Sequence, residues 1–148
     1  MTIQGIRGAN HAPEDTPEAV LAATRELLLA IAEANDLNPE DLASIFFTAT
    51  PDLVSVHPAL AARQLGWVEV PLLCAQEIAV PNSLPRVIRV LLHWNTSVPQ
   101  RDIRHIYLGQ AASLRPDRSA ELTTKPPHST HPFPQRQHPI SNQQMINR

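Results

Sequence analysis

The sequence has one cysteine, one lysine, four glycines and few aromatic residues, 4% of 148. A lone thiol, Cys74, cannot close an intramolecular disulfide, so a reducing compartment is expected. No apolar run approaches the ~18 residues that would span a bilayer. The start, Met1-Thr2-Ile3-Gln4-Gly5, lacks the basic segment and apolar stretch of a secretory signal, and the expected location is cytoplasmic. A formal net charge of −2 gives no electrostatic case for nucleic acid or a membrane surface as partner. There is no P-loop, no G-x-G-x-x-G, no H-E-x-x-H and no C-x-x-C, so neither a cofactor nor a metal is expected.

What is present is 43% apolar residues and basic charge that is almost all arginine, eleven Arg to the single Lys125. The planar guanidinium fork suits carboxylates and phosphates, although genomic base composition produces the same bias. Composition changes near Arg118. Residues 119–148 hold five Pro and three His among Gln, Ser, Thr and Asn. That stretch cannot bury enough surface to offset its ordering entropy and is expected to be a disordered tail. His128, His131 and His138 are spaced too irregularly among prolines to suggest a metal site.

Residues 1–118 read as one α+β domain. Strands are expected at Ile3–Gly8, Ala43–Ala49, Val68–Cys74, Arg86–Trp94 and His105–Leu108. Pro71 makes the third of these an edge strand or a strand start. Asp15-Thr16-Pro17-Glu18 opens a helix, with Asp15 as cap and Pro17 in the first turn. That helix runs to about Asn35 and buries Val20, Leu27, Leu28 and Ile31. Asn38 to Asp41 begins a short helix. Pro58 to Leu65 is another, stopped by Gly66. Pro99 to Asp102 is a turn.

Taken without a family, the residues point only loosely to chemistry. Arg7, Arg63, Arg89 and Arg115 lie at or near the ends of expected elements. Arg89 sits inside the apolar run Val87-Ile88-Arg89-Val90-Leu91-Leu92, where a charge needs an anionic partner. Glu77 within the protein and an anionic ligand are both open. Cys74 and Glu77 follow an apolar strand as C-x-x-E, and a structural cysteine is the plainer reading than a reactive one. Tyr107, the only tyrosine, could meet a ligand or sit in the core with its hydroxyl satisfied. Gly5 and Gly8 flank Ile6-Arg7, as where a backbone comes close to a neighbour. His57 and His105 form no defensible triad with Ser or Asp.

Four stretches in register are more specific. They are Gly5-Ile6-Arg7-Gly8-Ala9; Thr48-Ala49-Thr50-Pro51-Asp52-Leu53 with Pro58-Ala59 and Arg63; Val70-Pro71-Leu72-Leu73-Cys74-Ala75-Gln76-Glu77; and Ile88-Arg89-Val90, followed by Val98-Pro99-Gln100, Ile103-Arg104-His105-Ile106-Tyr107-Leu108 and Leu114-Arg115-Pro116-Asp117. Over residues 1–118 the chain resembles the monofunctional AroH-class chorismate mutases. The resemblance implies a mixed β-sheet with flanking helices, assembled as a homotrimer with a barrel-like core and active sites between subunits. It implies chorismate as substrate and its Claisen rearrangement to prephenate, a unimolecular step that needs no nucleophile, proton transfer, metal or cofactor.

By the same resemblance, Arg89 is the cation beside the breaking ether bond. Glu77 and Cys74 engage the ring hydroxyl. Arg7 and Tyr107 hold carboxylate, and Arg63 and Arg115 close the site. Leu73 and Leu114 line the pocket, with His57 and Ala59 at its rim. Two positions depart from the family pattern: His57 stands where Phe is common, and Leu60 where Lys is common. These departures favour one alternative, a non-catalytic trimeric metabolite-binding protein on the same scaffold. An imine-hydrolysing trimer of related architecture fits the motifs less well.

Overall fold

Helix α1 (Pro17–Asn35) is fixed by both its ends. Thr16, in extended conformation, accepts a hydrogen bond from Ala19 N–H, and Pro17 occupies the first turn, where its missing N–H costs nothing. Asp36 closes the helix in the left-handed region, with φ of 50°. The cap is thus Thr16 and not Asp15, whose carboxylate is engaged elsewhere. The computed structural model describes residues 1–116; the expected tail and its three histidines lie outside them.

Five strands form one mixed sheet: β1 (Thr2–His11), β2 (Leu42–Ala49), β3 (Leu72–Gln76), β4 (Val87–Thr96) and β5 (Ile106–Tyr107). Their order across the sheet is β3-β2-β4-β1-β5. Strand β4 is central and antiparallel to both neighbours, paired with β1 from Thr2↔Thr96 to His11↔Val87. The outer pairs, β2–β3 and β1–β5, are parallel. A short helix α2 (Ala59–Gln64) connects β2 to β3, and Gly66 with φ of +86° ends the turn that follows it.

Side chains alternate across a strand, and here the two faces differ. Ile6 of β1, Ile45 and Phe47 of β2, and Val90, Leu92 and Trp94 of β4 pack with Leu27, Leu28 and Ile31 of α1 in the main core. Leu72 and Cys74 of β3 join that core from its edge. The opposite face carries Arg7, Phe46, Thr48, Leu73, Arg89, Leu91 and His93. On it Phe46, Leu73 and Leu91 are paired neighbours in one row and are 40%, 56% and 36% exposed. At its β5 end this open face is partly covered by a 3-10 turn, Gly109–Leu114, which the sequence pattern does not reveal.

Three expectations are corrected. Strand β1 continues past Gly8 to His11, because the side chain of Asn10 is buried and donates to Ala23 O. Strand β3 begins at Leu72, after Pro71, and lies at the sheet edge half-exposed rather than buried. The apolar signal ahead of it belongs to Trp67 and Val70, which are buried from a loop. Asn38 opens a single 3-10 turn, Pro39–Asp41, rather than a helix that continues.

Gly8 lies mid-strand beneath α1. A Cβ there would meet Ile31 Cδ1 at 2.8 Å and the backbone oxygen of Ile106 at 2.9 Å. At Gly5 the nearest atom is Leu91 Cδ1 at 3.6 Å, ordinary contact distance. Gly8→Ala is therefore expected to destabilise the fold by about 1–3 kcal/mol through overpacking, with Gly5→Ala much milder. Thermal unfolding of the two variants checks this, and equal melting temperatures would refute it.

Candidate active site

The charged centre is built by strand pairing. Thr48 in β2 stands opposite Arg89 in β4 on one side and Ala75 in β3 on the other. Glu77 lies just past β3, tied by its N–H to Ala49 O at 2.9 Å. These three side chains meet on the open face. Thr48 Oγ1 donates to Glu77 Oε1 at 2.8 Å, and Arg89 Nε lies 2.7 Å from the same oxygen. The Nε–H is not aligned on it, so Nε is a buried donor with no formed hydrogen bond. The contact is a charge pair in which part of the guanidinium's hydrogen-bonding capacity is unspent. With the Arg89 side chain 37% exposed, such a pair contributes about 0–1 kcal/mol to stability.

The same row continues across β1 to β5, because Ala9 pairs with Arg89 and with Tyr107. Tyr107 is buried in a small cluster with Ala9, Val87 and Ala111, against which Leu84 and Leu114 pack. Leu114 thus brings Arg115 to the β5 end of the open face. Arg7 occupies the adjacent row opposite Leu91 and is exposed; its N–H donates to His105 Nδ1 at 2.9 Å. Leu73 is exposed on the same face at the other edge. Six of the sequence-derived site residues therefore share the open face or its margins with Glu77: Arg7, Leu73, Arg89, Tyr107, Leu114 and Arg115.

The remaining four lie elsewhere. Cys74 faces the helix side of β3, where it packs against the main core. It lines a depression of about 190 Å³ with Thr50, Leu53, Val56, His57, Pro58 and other β2 and β3 residues. Ala59 and Arg63 follow on α2. Thr48 also lines that depression, so the depression borders the Arg89–Glu77 centre through the Thr48–Glu77 hydrogen bond.

Three residues that brace this region are given no such role by the sequence pattern, in which Asp15 reads as a helix cap. Thr48 is one; its place in the β2 alternation was the available signal. The other two are carboxylates. Asp52 accepts from Thr50 Oγ1 at 2.5 Å and from Arg86 N–H at 2.9 Å, pinning the start of β4 to the end of β2. Arg86 itself has φ of 50° and donates from Nε to Ala12 O. Asp15 accepts from Val54 N–H at 3.2 Å and Ser55 N–H at 3.1 Å. The adjacent Ser55 side chain lowers the Asp15 carboxyl below its ordinary value, against desolvation and with help from the two amides. Ser55 Oγ completes no hydrogen bond of good geometry, so it acts as a nearby dipole and the amides are the formed bonds. The contacts of Asp15 with the 54–55 amides and of Asp52 with Arg86 are long-range in sequence, which is why no local pattern discloses them.

Comparison with known proteins matches residues 3–118 to the family Chorismate mutase type I. The chain belongs to that family. It is 59% identical over 116 residues to the chorismate mutase AroH of Thermus thermophilus, covering 78% of this chain and 95% of that protein. It is 46% identical over 126 residues to the chorismate mutase AroH of Bacillus subtilis, covering 84% and 99%. A solved chorismate mutase from Clostridium thermocellum superposes with a TM-score of 0.73 at 44% identity, covering 74% of this chain and 97% of that one.

The Thr48 hydroxyl donates a hydrogen bond that orients the Glu77 carboxylate. Thr48→Val keeps the side-chain shape and removes that donor. It is expected to lower mutase kcat/KM by about tenfold, the scale of one hydrogen bond to a charged group, with little change in melting temperature. Steady-state kinetics of the variant test this; an unchanged kcat/KM would show that Thr48 does not position Glu77.

Proposed function

We propose that the chain performs its reaction in a cleft completed by a second copy of itself, with Arg89 as the charge centre. The reaction follows from the family: the chain is a chorismate mutase, an isomerase of aromatic amino acid biosynthesis. The observation that supports Arg89 is its setting. It is a permanently charged fork, held 2.7 Å from Glu77 on the sheet face opposite α1.

The rearrangement of chorismate to prephenate breaks a C–O bond while a C–C bond forms. Electron density moves toward the ether oxygen and the enolpyruvyl fragment as the C–O bond stretches. A cation fixed beside that oxygen stabilises the transition state more than the ground state, and only such differential binding raises kcat. In this reading Arg89 donates to the ether oxygen, and Glu77 both orients it and opposes positive charge left on the ring. Arg7 and Tyr107 take the enolpyruvyl carboxylate, and Arg115 closes the site behind Leu114. Holding a flexible dianion in its compact conformer supplies the entropic part of the acceleration.

Two features support a site shared between copies. Cys74 packs toward the helix side of the sheet while Arg89 and Glu77 meet on the other face, so a neighbouring copy can present Cys74 and the His57–Arg63 segment to a second cleft. The open face also exposes Phe46, Leu73 and Leu91 as neighbours, an apolar row that a trimer would bury. The protein would then work as a cytoplasmic homotrimer, and in the assembly Cys74 is a polar contact rather than a nucleophile.

Arg89→Ala is expected to reduce kcat by about 10³-fold or more, the loss typical of removing one preorganised transition-state donor, while sedimentation still shows a trimer. Loss of chorismate absorbance measures the first and analytical ultracentrifugation the second. Conversion persisting at wild-type rate would move the charge centre elsewhere, and a folded monomer with full activity would remove the shared cleft. At the rim, Leu60 is 40% exposed where the family commonly carries a cation. Leu60→Lys is expected to lower KM severalfold with kcat nearly unchanged, because a rim charge aids capture of the dianion and not the chemical step. A change in kcat of the same size as that in KM would contradict this.

A further inference from the structure

The loop between β2 and α2 carries His57 and leads into Ala59 and Arg63, yet little holds it. Val54 is 81% exposed, and the loop's apolar anchors are Leu53 and Val56, which pack with Ala12, Val20, Ala23 and Ile88. Between those two anchors the backbone turns its consecutive N–H groups, Val54 and Ser55, toward Asp15. Consecutive amides that converge in this way form a concave anion seat, and here the seat is filled from a residue 39 and 40 positions earlier in the chain. Asp15 is adjacent to the cap of α1, which is packed on the main core. Its carboxylate thereby connects a rigid element to the loop.

We propose that Asp15 is a positioning residue for substrate capture, which acts by fixing the 53–58 loop and, through it, His57, Ala59 and Arg63. Helix capping does not account for it, since Thr16 performs that task. Asp15 touches no residue of the Arg89–Glu77 centre, so its effect should fall on binding and not on the rearrangement step. The Ser55 side chain and the two amides hold the Asp15 carboxyl below its ordinary value, so the seat is filled by a carboxylate at neutral pH. A neighbouring brace, Asp52 to Arg86 N–H, secures the other end of the same connection, so removing Asp15 loosens the loop without detaching β4.

The proposal rests on the reading of His57, Ala59 and Arg63 as substrate contacts, and its test separates the two. In the full chain, Asp15→Ala is expected to raise KM for chorismate by about tenfold and leave kcat within about twofold, the pattern of lost binding without lost transition-state stabilisation. Asp15→Asn retains one acceptor oxygen and should raise KM by a smaller factor, which keeps the test valid if the alanine variant folds poorly. Hydrogen exchange at the Val54 and Ser55 amides should accelerate in both variants, with exchange in β1 and β4 unchanged. Arg63→Ala is measured alongside. An unchanged KM in both folded Asp15 variants overturns the proposal, as does a fall in kcat matching the fall in kcat/KM. If KM is unchanged in Arg63→Ala as well, the assignment of this segment to the substrate site fails with it.

Discussion

Glu77 holds Arg89 on the sheet face opposite α1, and much of the architecture follows from keeping that face open. The pair is half-exposed, and at that exposure an ion pair adds little to stability. Its cohesion is therefore not what retains it in the fold. The stability comes from the other face, where α1 buries Ile6, Ile45, Phe47, Val90 and Leu92. With α1 on one side, β4 is central while Arg89, Leu91 and His93 on its other side stay at least partly exposed. An arginine on the buried face of the same strand would need an anion inside the core, at a desolvation cost of several kcal/mol. On the open face it can be rigid and still reach a ligand.

This arrangement has a second effect. A sheet with one uncovered face leaves apolar residues as well as charges exposed, and Phe46, Leu73 and Leu91 stand directly beside the charged row. Burying them against another copy would lower the dielectric around Arg89 and strengthen its field. Assembly and catalysis would thus draw on the same surface, and the charge centre would reach its full effect only in the oligomer.

The elements were legible where local pattern and tertiary burial agree. The 3.6-residue repeat of Val20, Leu27, Leu28 and Ile31 marks α1, and the β-rich run from Val87 marks β4. They were illegible where burial came from distant partners. Asn10 looks like a strand terminator, but Ala23 O satisfies its amide. Trp67 and Val70 look like strand residues, but they fill the core from a loop. The run around Arg89 reads as continuously buried; in fact its odd positions face outward, and the uncertainty between an internal ion pair and a ligand site came from that. The structure contains the pair, and a carboxylate neighbour is also what a ligand-binding arginine would need to stay oriented, so the two readings were not exclusive. Asp15 reads as a helix cap, and its real partners, like that of Asp52 at Arg86, are distant backbone amides, which have no residue identity to read.

In the proposed shared cleft, Cys74 and Glu77 have different places on the strand. They are three positions apart on and just beyond β3, an odd separation, which sends their side chains to opposite faces of an extended segment. The structure has this result: Cys74 packs toward the helices while Glu77 meets Thr48 and Arg89. Both residues belong to the edge of the sheet, since β3 is its outermost strand. An edge strand can serve two sites at once, offering Glu77 to one cleft and Cys74, with the loop at His57, to the next. In a closed ring of identical chains each cleft then receives one set from each neighbour, and no chain carries a complete site or an unused half.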